Sequence, residues 1–224
     1  MQRRRSARRR GRRPSRTPTL STARLGWITP VAMVMIGLFA GGALTASNAV
    51  AASRAHDDSS AIALAQLAPP ECAGLTLTNL VVASGGVATG TADGDLILGT
   101  DDADAIEGGG GDDCIVAGDG SDTVRGDGGS DVLLLGGGFD MAEGGSGRDT
   151  IHGGAGNDDI DGGSSSDRLH GDEGDDLLRG GRGPDTLHGG AGDDDLLGGL
   201  GIDGCDGGTG IDTLTSCETV AGQP

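Results

Sequence analysis

Fourteen aspartates recur every nine residues, from Asp95 to Asp212, with no insertion or deletion between them. Carboxylates in such numbers have two chemical uses. An isolated Asp/His pair such as Asp149 and His152 offers general-base chemistry. A rank of carboxylates set among backbone carbonyls offers oxygen ligands to a hard cation. The second use fits better, because the aspartate is present in every repeat and the histidine is not. No nucleophile elbow and no His-Glu-x-x-His stands in the chain to support hydrolysis. A further row, His152, His170 and His188, recurs every eighteen residues. It is either a tolerated surface row or a secondary site for Zn²⁺, Ni²⁺ or Cu²⁺, the ions imidazole suits.

The segment that positions these residues is one nine-residue phrase repeated fourteen times over residues 90–215. Clear copies are Gly-Gly-Ala-Gly-Asn-Asp-Asp-Ile-Asp at 153–161 and Gly-Gly-Ala-Gly-Asp-Asp-Asp-Leu-Leu at 189–197. Aspartate holds position six. Ile, Leu or Val holds position eight, except at Ala142 and Cys205. The phrase resembles the G-G-x-G-x-D-x-U-x repeat of the RTX, or haemolysin-type calcium-binding, family.

That resemblance implies an all-β fold, a calcium-stabilised parallel β-roll (a two-sheet β-solenoid) with short N- and C-terminal caps. Two repeats make one coil, so loops eighteen residues apart stack and share Ca²⁺, several ions in all. Calcium takes six to eight oxygens, and one loop supplies half a shell. The expected carboxylate ligands on one edge are Asp113, Asp131, Asp149, Asp167, Asp185 and Asp203. On the other they are Asp122, Asp140, Asp158, Asp176, Asp194 and Asp212. Carbonyl ligands are expected from the first-position glycines Gly108, Gly126, Gly144, Gly153, Gly171, Gly180, Gly189 and Gly198. Each phrase is expected to divide into a six-residue loop and a three-residue strand, with positive φ at positions one, two and four. Some copies depart from this pattern. Those starting at Gly90 and Gly99 carry Thr at position two and Asp at position four, Leu135 replaces a first glycine, and Ser165 replaces a fourth. Weaker ions, rather than a broken coil, are expected there.

The ends of the chain differ from its middle. All sixteen basic residues are arginine, ten lie before residue 25, and no acid precedes Asp57. Beyond residue 25, six arginines face thirty-four acids, a net charge of −28. Such a chain attracts cations and neither nucleic acid nor anionic membrane. The arginine-rich start, the apolar stretch 25–46 and Ala49-Val50-Ala51 form the layout of a secretory signal peptide over residues 1–51, or of a signal anchor. Residues 52–70 are expected as a flexible linker with at most a short helix around 61–67. Residues 71–89 are expected as an N-terminal cap strand and 216–224 as a C-terminal cap.

The cysteines sit where caps would be. A Cys205–Cys217 bridge would fold the tail under the open core. Cys72 would bridge to Cys114 while Leu75–Val82 lies across an outward apolar patch of Leu96, Leu98, Val116, Val132 and Leu134. Disulfides outrank zinc here because no C-x-x-C pair exists. With Phe139 as the sole aromatic beyond residue 51, the core is too meagre to order so many glycines without a bound cation. The expectation is a secreted, non-enzymatic calcium-binding protein that folds on meeting extracellular calcium and leaves no membrane association after cleavage. The alternatives are a surface or matrix spacer with a cell-wall partner, or an accessory chain of a secreted enzyme.

Overall fold

The computed structural model describes residues 64–221. Each repeat gives one strand, because an aliphatic side chain at position eight must turn inward while its neighbours at seven and nine turn out. β1 (Asn79–Val82) and β2 (Val87–Thr89) precede the repeats, and β3 (Asp95–Leu98) opens them. Twelve six-residue strands follow, from β4 (Ala105–Gly110) to β15 (Gly204–Thr209). β16 (Thr213–Thr215) and β17 (Thr219–Ala221) close the series. Odd-numbered strands form a nine-stranded sheet and even-numbered strands an eight-stranded one, with every pairing parallel. Partners stand eighteen residues apart, as in Leu133↔Ile151 and Ile160↔Leu178. The fold is an all-β two-sheet solenoid of about eight turns. Ile97, Ile115, Leu133, Ile151, Leu169 and Leu187 from one sheet meet Ile106, Val124, Ile160, Leu178 and Leu196 from the other, all buried.

The strands are longer than the expected triplet. They cover positions seven to nine and continue through positions one to three, leaving short turns at four to six. Position one is therefore a second inward position: Ala117 and Leu135, which occupy it, are fully buried in the core. Positive φ falls at positions two and four, as at Gly154 (101°) and Gly156 (125°), and not at position one. Position four lies in the turn and position two inside the six-residue strand, and at both the left-handed region is reached most cheaply by glycine. Asp127, Ser165 and Asp172 adopt positive φ in places where other repeats have glycine.

The N-terminal cap also differs from expectation. Of Leu75–Val82 only Asn79–Val82 is a strand, and it does not lie across the sheet. It adds a rung to the sheet, with Leu80 opposite Leu96 and Val81 opposite Ile97. A terminal strand exposes a row of unpaired N–H and C=O groups. A rung in register satisfies that row; a strand crossing the face would not. The outward apolar patch is covered by Leu67, Ala68, Leu75 and Leu77, which pack around buried Cys72, Leu96, Cys114 and Val132. A helical turn α1 (Leu64–Leu67) and the 3-10 turn Pro70–Cys72 deliver these residues. The Cys72–Cys114 disulfide pins this cap, and Cys205–Cys217 pins the other end. The signal segment 1–51 and linker residues 52–63 lie outside the described residues. No helix among the described residues is long and apolar enough to cross a membrane.

Candidate metal centre

The turns stack into two edges, and the position-six aspartates line them. From Asp95 to Asp203 all thirteen are buried, none more than 4 % exposed. One oxygen of each carboxylate has a structural task. The Asp113 N–H donates to Asp131 Oδ1 at 2.8 Å, and the Asp131 N–H donates to Asp149 Oδ1 at 2.9 Å. On the other edge Asp122 donates in the same way to Asp140, and Asp140 to Asp158. The second oxygen has no such task. Oδ2 of every position-six aspartate from Asp113 to Asp203 is buried without a hydrogen-bond partner. Leaving one buried acceptor unpaired costs about 1–3 kcal/mol, and more if it is charged. Eleven such oxygens along the two edges are therefore suited to receive positive charge.

The electrostatics agree. Burial pushes the Asp131 carboxyl up to about 8, Asp113 and Asp167 to about 7, and Asp122, Asp149, Asp158 and Asp176 to about 6. Asp140, Asp185 and Asp194 rise for the same reason. The backbone N–H bound to each lowers it only in part, and at most of them neighbouring carboxylates raise it further. Parallel strands repeat at ~4.8 Å. Two unit charges at that spacing repel by ~3 kcal/mol at an effective dielectric of ~20.

The first glycines bring carbonyl oxygens beside these carboxylates. A Cβ built on Gly126 would stand 2.5 Å from Asp131 Oδ2 and 2.6 Å from the Gly144 carbonyl oxygen. At Gly189 the distances to Asp194 Oδ2 and the Gly207 carbonyl oxygen are 2.3 and 2.6 Å. In the repeats with glycine at position one, these oxygens fill the space a side chain would take. Each such pair of oxygens is close enough for one ion with ~2.3–2.6 Å bonds to reach both. The donor set, carboxylate plus carbonyl with no nitrogen or sulfur, is that of a hard cation.

A family model described as the RTX calcium-binding nonapeptide repeat matches in four copies, at residues 89–124, 115–142, 135–169 and 170–205, together more than half of the chain. The chain belongs to the RTX calcium-binding repeat family. No curated protein matches it. The repeats are thus a calcium-binding RTX roll.

Not every RTX repeat here presents the same edge. At Asp104, Oδ2 accepts from the Thr100 N–H at 2.7 Å and the Thr100 hydroxyl at 2.9 Å. At Asp95, Oδ2 accepts from the Thr91 N–H. Threonine at position two thus satisfies the oxygen that elsewhere lacks a partner, while at Asp104 the other oxygen, Oδ1, is the one left buried and unpaired. The Asn79 amide donates to Asp95 Oδ1, replacing the N–H of a preceding coil. At the other end Glu218 Oε2 accepts the Asp203 N–H at 2.6 Å, in place of a following aspartate. Asp212 is only partly buried and has no coil beyond it to complete its edge. Ala117 and Leu135 put a Cβ at position one, where the carboxylate oxygen settles in glycine repeats. The edge at Asp122 and Asp140 is accordingly more crowded with carbon.

Proposed function

We propose that this chain is a secreted calcium-binding protein without catalytic chemistry of its own, and that its roll folds cooperatively as calcium binds. The observation that carries this reading is the double file of buried carboxylate oxygens without protein partners. Asp113, Asp131, Asp149, Asp167, Asp185 and Asp203 would hold ions on one edge. Asp122, Asp140, Asp158, Asp176 and Asp194 would do so on the other, with Asp212 as a weaker terminal ligand. The first-position glycines Gly108, Gly126, Gly144, Gly153, Gly171, Gly180, Gly189 and Gly198 would add carbonyl oxygens. Bound calcium supplies positive charge that cancels the repulsion between successive carboxylates. The protein's own part is to stack the turns so that carboxylates and carbonyls converge.

Cooperativity follows from the architecture. A coil contacts only its neighbours, and each aspartate is hydrogen-bonded to the coil before it, so ordering one turn orders half of the next site. Secretion is supported by the arginine-rich start, the apolar stretch and the small-residue cleavage site, together with the two disulfides. Extracellular calcium modules work at ~0.1–1 mM, so the chain would stay open inside the cell and close outside.

The test is far-UV circular dichroism with small-angle scattering on the purified, oxidised protein. It begins in EDTA and is titrated to ~10 mM calcium, well above that range. The expected result is a sigmoidal gain of β signal with contraction to a compact rod. A protein fully folded in EDTA, or still unfolded at the end of the titration, would overturn the reading.

A further inference from the structure

The histidine row stands on the outer face of the nine-stranded sheet, each histidine one residue before a first-position glycine, Gly153, Gly171 or Gly189. His152 stands on β9 (Thr150–Ala155), His170 on β11 (Arg168–Glu173) and His188 on β13 (Thr186–Ala191), paired in direct register. Their rings stack: His152 and His170 centroids are 4.4 Å apart with planes 2° from parallel, and His170 and His188 are 5.0 Å apart at 12°. Beside the row is a carboxylate that the repeat does not call for. Asp172 occupies position two, where the paired residues of the neighbouring coils are Gly154 and Gly190. It holds φ +74° there, a conformation that costs a non-glycine residue on the order of 1 kcal/mol. Its Oδ2 stands 3.3 Å from His152 Nδ1. Ligand atoms of His152, His170 and Asp172 all lie within 4.8 Å of one another.

We propose that His152, His170 and Asp172 form a site for Zn²⁺ or a chemically similar divalent transition-metal ion, separate from the calcium edges. Two imidazoles and one carboxylate, with water as a fourth ligand, form a tetrahedral zinc donor set. Calcium is a poor match for the same atoms, since it prefers six to eight oxygens. Zinc bonds of ~2.0–2.1 Å place tetrahedral ligand atoms ~3.3 Å apart, so no pair of ligand atoms has to close by more than about 1.5 Å, and His152 Nδ1 and Asp172 Oδ2 already stand 3.3 Å apart. His152 and Asp172 side chains are 31 % and 43 % exposed, which leaves them room to swing and leaves an ion a path in. His188, 3.9 Å from Asp206 Oδ2, offers a second imidazole–carboxylate pair one coil further on. Arg168, on the same strand as His170, is the opposing charge.

The ligands come from two adjacent coils, so the site needs the folded roll but not a particular occupancy of its edges. Zinc is titrated calorimetrically into the full oxidised protein in excess calcium. The parent is expected to bind one zinc saturably, and His170→Ala and Asp172→Asn to weaken it at least tenfold. Circular dichroism in calcium reports whether each variant keeps the roll; both changes lie on the outer surface. A Co²⁺-loaded parent provides a readout free of substitutions: intense visible bands indicate a low-coordinate nitrogen-containing site. No saturable zinc binding by the parent, variants that bind as tightly as the parent, or only the weak bands of octahedral Co²⁺ would each overturn the proposal.

Discussion

At Asp158 one side chain does two jobs. Its Oδ1 accepts the Asp140 N–H at 2.9 Å and ties two coils together, while its Oδ2 faces the edge without a partner. Asp158→Asn keeps an acceptor for the tie and removes the charge. Because ligand charge tunes calcium affinity, the variant should need roughly fivefold more calcium to fold. Asp95→Asn is the control, since Asn79 and Thr91 already satisfy both of its carboxylate oxygens; its folding midpoint should barely move. Calcium titrations followed by circular dichroism compare the two, and equal shifts would contradict the division of labour between the oxygens. Glycines separate in the same way. A methyl at Gly189 would meet Asp194 Oδ2 at 2.3 Å and the Gly207 carbonyl at 2.6 Å, whereas at Gly110 it meets nothing closer than 3.7 Å. Gly189→Ala should therefore cost about 1–3 kcal/mol and Gly110→Ala under ~0.5 kcal/mol, as read from thermal melts in calcium.

The strands and caps show what a periodic sequence can and cannot tell. Aspartate at every sixth position and an aliphatic at every eighth foretell two sheets, two edges and the inward file from Ile97 to Leu196, because both periods are strict. The second inward position was harder to see. Glycine hides the direction of a side chain, and only Ala117 and Leu135 betray it. The residues that finish the ladders were invisible for another reason. Asn79 and Glu218 sit sixteen and fifteen residues from Asp95 and Asp203, off the eighteen-residue period, so no register search finds them. Position-two threonines were visible as departures, yet their hydrogen bonds to Asp95 and Asp104 required coordinates. The disulfides fix these off-period ends. In the chain-entropy account, cross-links with separations of 42 and 12 residues contribute about 4 and about 3 kcal/mol. Reduction in saturating calcium should speed amide exchange in β1, β3, β15 and β17 while β9 and β11 stay protected. Uniform loss of protection along the roll would mean that the caps govern the whole stack.

For the whole molecule the governing quantity is charge, and protons and calcium compete for it. Burial pushes seven of the position-six carboxyls, Asp113, Asp122, Asp131, Asp149, Asp158, Asp167 and Asp176, up to between about 6 and about 8 in the fold, above their ordinary 3.8. Between those limits the folded chain binds more protons than the unfolded one. Proton binding thus stabilises the calcium-free roll fully below about pH 4, and this contribution disappears as pH rises through about 6 to about 8. In EDTA, lowering the pH from 7.5 to 5 should therefore increase β signal. Calcium reverses the sign of the trend. It binds the ionised carboxylates, so protons displace it, and the calcium concentration needed for folding should rise as pH falls through the same window. Circular dichroism at pH 5, 6, 7 and 8, with EDTA and along a calcium titration, reads both arms on one protein. Opposite slopes tie both effects to one set of carboxylates. Parallel slopes would mean that the titrating groups which set stability lie off the calcium edges, and would detach the buried aspartates from the folding switch.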